Sequence, residues 1–189
     1  YVLNELNKEF KKQKLIDIVS IYKVNFSKNA KSGFSLLINR MLKIDDKKRI
    51  LEIEENGITI KTIPVSKNNK PWESMSFPKF SLVDLIDEEW NGENEADFKN
   101  IINQGFIFIP VIKEKEKYII NGKTKYRYKN WKSWEIGKSV FWKPNESELT
   151  TINKEWEKAK DILKNGVRVN FVKHGKGTRQ ENNLLKSSD

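Results

Sequence analysis

Between residues 52 and 65 the chain reads Glu-Ile-Glu-Glu-Asn-Gly-Ile-Thr-Ile-Lys-Thr-Ile-Pro-Val. An acidic residue, then a turn, then a strand carrying acid-x-Lys is a spacing suited to phosphodiester hydrolysis. The two carboxylates hold a divalent cation and the lysine orients the attacking water. Glu52 stands in the first acidic position and Lys61 in that of the lysine, but Thr59 occupies the position of the second carboxylate. Alternation along a strand puts Thr59 and Lys61 on one face. A neutral hydroxyl is a poor ligand for a hard cation that prefers carboxylate oxygens, so the segment has the shape of a cutting site with one ligand missing. Glu54 and Glu55 are close enough in sequence to act as substitute ligands. The plainer alternative is that Thr59, Lys61 and Ile63 form the solvent side of a half-exposed strand.

The rest of the composition narrows the chemistry. There are no cysteines and one histidine, which removes disulfides, thiolate metal sites, cysteine nucleophiles and two-histidine metalloprotease motifs. The formal charge is +10 over 189 residues, a basic excess that favours a polyanionic partner. No run approaches the roughly 20 apolar residues of a membrane span, and no secretory signal opens the chain. These features read as an intracellular protein without a membrane partner. The chain begins at Tyr1 with no initiator Met and is read as a fragment of a longer polypeptide.

The elements that must position the site follow from periodicity. Leu3, Leu6 and Phe10 form one helical stripe, and Leu15, Ile16, Val19 and Tyr22 a second. Phe34, Leu37, Ile38, Met41 and Leu42 mark a helix over 31–43. A strand is expected at 50–53, then a turn at Asn56-Gly57 into an alternating strand over 58–63, ended by Pro64. Phe106 to Val111 is a continuous apolar run of strand length, suited to burial on both faces. Asn145 and Glu148 form a capping-box pair for a helix ending near Asn165-Gly166. A strand is expected over 167–172, followed from residue 176 by a polar tail. Helices mixed with a few buried strands give an α/β or α+β core.

Charge is segregated along the chain. Residues 84–97 carry seven acids and no lysine or arginine, and read as a solvated face or a docking patch for a basic partner. Residues 113–143 carry ten basic residues against three acids. In that basic segment Lys125, Arg127, Lys129, Lys132 and Lys138 are candidates for phosphate contact, with Tyr118, Tyr126, Tyr128, Trp131 and Trp134 packing their stems. The alternative is a solvated hairpin turning at Asn121-Gly122, with the aromatics in the core. His174, beside a glycine, reads as a turn or packing residue.

Taken in order, Lys61-Thr-Ile-Pro-Val65, Pro71-Trp-Glu73, Phe108-Ile-Pro-Val111, Ile136-Gly137, Trp142-Lys-Pro-Asn-Glu146, Glu155-Trp156 and His174-Gly175 closely resemble the family of the MutH mismatch-repair endonuclease and the GATC-cutting (Sau-type) type II restriction endonucleases. The first and fifth of these segments are the most specific. The resemblance implies a restriction-endonuclease-like fold, a mixed sheet flanked by helices, in a bacterial cytoplasmic protein acting on DNA with magnesium. It places the family's helix-borne acid at Asn39, its metal-binding aspartate at Glu52, its second metal carboxylate at Thr59 and its lysine at Lys61. It places a base-reading lysine at Lys31, followed by Ser32 where a glycine would let the backbone approach a base edge more closely. The family's main base-reading loop would fall within 176–189, where its Arg-Pro-Lys-like run is missing.

The expectation that follows is one MutH-like DNA-binding domain over 1–175, with a basic insertion around 113–135 and a polar tail over 176–189. It would have no intact catalytic set, no bound metal unless Glu52, Glu54 or Glu55 rebuilds one, and no cofactor of its own. Magnesium would serve a catalytic domain elsewhere in the same polypeptide. In this reading the chain is the degenerate C-terminal domain of a restriction enzyme, an effector arm that binds GATC duplex and can pair with another molecule on DNA. The alternatives are an active magnesium nuclease with a rebuilt carboxylate site, and a dimerisation module without specific recognition.

Overall fold

The computed structural model describes residues 2–26, 31–42, 57–75, 83–167, 169–174 and 177–182; the side chains of Lys31 and Ser32 and those beyond residue 167 lie outside that description. The strand expected at 50–53, Asn56, and the candidate ligands Glu52, Glu54 and Glu55 also lie outside the described residues. The chain divides into two compact units, one formed by 1–75 with 104–142 and the other by 76–103 with 143–189.

Among its described residues the first unit has the α-helices α1 (Val2–Phe10), α2 (Leu15–Ile21) and α3 (Lys31–Met41), and the strands β1 (Thr59–Val65), β2 (Phe106–Ile112), β3 (Lys115–Ile120), β4 (Lys123–Tyr128), β5 (Glu135–Ile136) and β6 (Val140–Trp142). The apolar run of β2 makes it the central strand. It pairs parallel with β1 from Thr59↔Phe106 to Val65↔Ile112. It pairs antiparallel with β5 at Val111 and Ile112 and with β6 from Phe106 to Phe108. The sheet is therefore mixed, and the class α+β. Pro110 has no N–H to give to a ladder, and it falls where neither β5 nor β6 pairs with β2. There the Gly137 N–H donates to the Pro110 carbonyl at 2.7 Å. The Asn7 amide fixes the same crossing by accepting from Ser139 N–H and donating to its carbonyl, at 2.8 and 2.9 Å.

Alternation divides β2 between two faces. Ile107, Ile109 and Val111 join Leu6, Phe10, Leu15, Ile18, Leu37, Ile38 and Met41 in one buried cluster, against which Ile58 and Ile60 pack. The expected stripes of α1 and α3 face this cluster, with Leu3, Phe34 and Leu42 partly covered. In α2 the buried residues are Leu15 and Ile18, with Val19 and Tyr22 only partly covered. On the other face Phe106 stacks on Phe108 at 5.7 Å, and Trp142 meets both rings at 6.0 and 6.1 Å. Gly105, with φ of +87°, leads into β2; a Cβ there would come within 2.7 Å of the Phe141 ring, so a larger residue would displace β6.

Strand β1 runs on through Pro64 to Val65, beyond the end expected at residue 63. Among the described residues β1 is the edge strand of its sheet, and an edge tolerates proline because one side needs no donor. The Pro64 carbonyl accepts from Trp72 N–H at 3.0 Å.

The second unit holds α4 (Asp97–Gln104, its last residue in the first unit), α5 (Glu146–Lys164) and the hairpin β7 (Val169–His174) and β8 (Gly177–Asn182). The capping box of α5 forms as expected: Glu148 N–H donates to the Asn145 side chain and Asn145 N–H to the Glu148 carboxylate, both at 2.9 Å. Trp156 of α5 packs on Trp90 at 5.7 Å, and the Lys160 ammonium lies 4.9 Å from the Trp156 ring and donates to the Glu88 carbonyl. The acidic run is mostly exposed, as a solvated face should be, but Glu88 is buried, which holds its carboxyl above the usual range. The tail beyond 175 is not simply a polar extension. Residues 177–182 pair antiparallel with β7 across the whole of both strands, because alternating backbone groups satisfy one another whatever the side-chain polarity.

Candidate functional site

The candidate site read from the sequence has its described part on β1. Thr59 and Lys61 stand two residues apart, both half-buried, opposite Phe106 and Phe108 of β2. Thr59 N–H donates to the Gly105 carbonyl at 3.1 Å, which starts the parallel ladder and fixes the position of its side chain. Partial burial pulls the Lys61 ammonium below the ordinary lysine range, as desolvation does to a cation. Asn39 is half-buried on α3, between buried Ile38 and exposed Arg40. Among the described residues no three His, Cys, Asp or Glu side chains come together to hold a metal. The described part of β1 does not fit magnesium: it offers one neutral hydroxyl beside an ammonium and faces aromatic carbons, where the ion takes carboxylate and water oxygens.

The basic segment forms the hairpin offered as its alternative reading. β3 and β4 pair from Lys115↔Tyr128 to Ile120↔Lys123 around Asn121 and Gly122, with φ of +50° and +69°. Two consecutive positive φ values are the signature of a tight type I′ turn, which Asn-Gly accommodates. Register places Lys123, Lys125 and Arg127 on one face with Glu116, Tyr118 and Ile120. Lys115 and Lys117 lie on the other with Tyr126 and Tyr128.

The nominated cations differ in their surroundings. Lys125, Lys132 and Lys138 are exposed. Arg127 pairs with Glu116 at 2.7 Å and lies 5.3 Å from the Tyr118 ring. Lys129 pairs with Glu114 at 2.5 Å, and Lys67 reaches the same carboxylate. These two ammonium groups hold the Glu114 carboxyl down at about 2. Lys125 and Arg127 share a strand face, Lys129 and Lys132 lie at the hairpin base, and Lys138 sits in the β5–β6 crossing. Lys31 and Ser32 open α3.

The aromatics divide between the two readings of this segment. Trp134 is buried, and Tyr128 and Trp131 pack on the core. Tyr126 is 66% exposed, and Tyr118 carries Arg127. The sequence did not single out Lys113, although its ammonium lies 4.1 Å from the Trp134 ring, 5.2 Å from Phe34 and 5.3 Å from Tyr128. Burial lowers its pKa. The available signal was its position directly after the buried strand, where a lysine stem must leave the core between aromatic side chains.

No family model matches the chain. Two curated relatives do. One is the DNA mismatch repair protein MutH of Shewanella woodyi, 28% identical over 120 residues, which is 63% of this chain and 45% of that protein. The other is the type II restriction enzyme Sau3AI of Staphylococcus aureus, 30% identical over 146 residues, 73% of this chain and 27% of that enzyme. The chain belongs to the MutH-like restriction-endonuclease family. Its helices with a mixed parallel and antiparallel sheet are a restriction-endonuclease-like fold, and the chain is a nuclease-related domain. The match spans less than half the length of either relative. No described helix is long and apolar enough to cross a membrane.

Proposed function

We propose that this domain binds double-stranded DNA containing GATC without cutting it, as the effector arm of a larger type II restriction enzyme. The observation that carries the reading is Thr59 beside Lys61 on β1: the strand, its register and its lysine are in place, and the carboxylate is not. Without two anionic ligands a hard cation is not held at useful affinity. The cations remain. Lys61, Lys125, Arg127, Lys129, Lys132 and Lys138 contact phosphates, and Lys31 with Ser32 approaches the bases. The domain extends over 1–175, with 176–189 leading toward a base-reading loop.

Magnesium and cleavage belong to a catalytic domain of the same polypeptide. DNA held by the effector arm stabilises the assembled, cutting arrangement because it binds that state more tightly, including an arrangement of two molecules dimerised on DNA. The protein works in the bacterial cytoplasm. Anisotropy titrations with a GATC duplex and a scrambled duplex, together with a plasmid digest in magnesium, test the reading. Preferential GATC binding with no cleavage is the expected result. Magnesium-dependent cleavage that Lys61→Ala abolishes would instead establish an active nuclease that uses Glu52, Glu54 or Glu55. Self-association without any GATC preference would establish a dimerisation module.

A further inference from the structure

In the first unit a groove of about 540 Å³ opens between the 66–72 segment and the hairpin, lined by Lys67, Trp72, Lys113, Glu114, Lys115 and Tyr126. This is within the size range of small-molecule sites. Two large ring surfaces reach it from different elements: Trp72 is 37% exposed and Tyr126 66% exposed. The Trp72 indole N–H donates to the Lys113 carbonyl at 2.8 Å, so the ring offers the groove its π surface and not a donor. The Lys115 ammonium lies 4.3 Å from the Trp72 ring and 5.0 Å from Tyr128, and Lys113 continues the series between Tyr128 and Trp134. This alternation of rings and cations ties the hairpin base to the core and holds the groove in shape. Three lysines against one glutamate give its lining a positive balance.

From this we infer that the groove holds one unstacked nucleotide, its base against Trp72 and Tyr126 and its phosphate at the lysines. A duplex conceals its base faces, so ring stacking of this kind is available only to a single strand, a frayed end, a flipped base or a free nucleotide. The inference rests on the reading of the chain as a DNA-binding domain, but it uses none of the phosphate-contact residues assigned there.

The test titrates the whole chain with a labelled dodecamer of deoxythymidylate, with thymidine monophosphate, and with a GATC duplex of the same length. The single strand is expected to bind, with affinity falling at least tenfold in Trp72→Ala and in Tyr126→Ala, staying within threefold in Trp72→Phe, and with duplex affinity changed less than twofold. Tyr126 is on an exposed strand, so its variant keeps the test decisive if Trp72→Ala does not fold. Equal affinity for the monophosphate and the dodecamer identifies a free nucleotide as the ligand; tighter binding of the dodecamer identifies a strand. Unchanged single-strand binding in both alanine variants, or a duplex affinity that falls in step, overturns the inference. Single-strand binding by a protein that does not bind the duplex overturns the duplex reading and leaves the groove in place.

Discussion

Replacing Thr59 with glutamate places a carboxylate on β1, which has none. On β1 the new side chain would share a face with Lys61 at a Cα separation of about 6.6 Å, two strand residues. At an effective dielectric constant of about 20, opposite charges at that distance attract by about 2.5 kcal/mol. That attraction counters the desolvation that now lowers the Lys61 pKa and offsets much of the cost of placing an anion beside Phe106, so Thr59→Glu should fold. The new carboxylate should bind manganese with a Kd on the order of 0.1 mM, the weak end of oxygen-ligand sites. At 10 mM metal this stabilises the fold by about 2.7 kcal/mol, a rise in Tm of about 5–10 °C for a chain of this size. Thermal melts with and without manganese read the difference, and the unsubstituted protein should move by less than about 1 °C. A rise in the unsubstituted protein equal to that of the variant refutes the claim that residue 59 limits metal binding. No rise in either refutes the claim that β1 is a metal scaffold.

Three further outcomes follow from the charges and caps described above. Lys113 has its pKa lowered by burial among Trp134, Phe34 and Tyr128, so the unfolded chain holds its proton more tightly and stability rises as pH climbs from the folded pKa toward 10.5; in Lys113→Met, urea denaturation at pH 8 and pH 10 should lose that rise, with stability at pH 8 equal or higher. Glu114, held at about 2 by Lys129 and Lys67, stabilises above its ordinary value of 4.5 and loses this as pH falls toward 2. Glu114→Gln should remove that acid-side dependence and free two lysines, which would steepen the salt dependence of duplex binding by up to about 0.9 per new phosphate contact. Asn145→Ala removes the side-chain acceptor of the Glu148 N–H, leaves the backbone N–H of residue 145 on the Glu148 carboxylate, and should cost about 1 kcal/mol, read as a lower midpoint in denaturant with an unchanged slope.

Local signals in the sequence were translated most directly into structure. The apolar run 106–111 became the central strand because only a strand buried on both faces can be apolar throughout. Asn121-Gly122 and Asn145 with Glu148 act over three or four residues, and each formed where its chemistry predicted. The tail hairpin was not legible, since its pairing depends on backbone groups and the sequence 177–182 has no apolar alternation to announce it. The end of β1 was misplaced for a related reason: whether proline stops a strand depends on the edge it occupies, and that is a property of the sheet.

The site itself was half legible. Spacing alone placed Thr59 and Lys61 on one face, and register against Phe106 and Phe108 agrees. Which lysines are already neutralised was not readable, because Arg127 with Glu116 and Lys129 with Glu114 become neighbours only across the hairpin. The same holds for the groove, whose rings come from residues 72 and 126. This difference bears on function. A catalytic site tolerates no neutral substitution at a metal ligand, whereas a surface that binds phosphate needs only enough cations in reach and a rigid base beneath them. That base is present in the ring-and-cation series from Trp72 through Lys115, Tyr128 and Lys113 to Trp134. Trp72 and Lys113 of this series join β1 through backbone bonds to the Pro64 and Val65 carbonyls, at the other end of the strand from Thr59, so a neutral residue at position 59 leaves the shape of the basic surface unchanged.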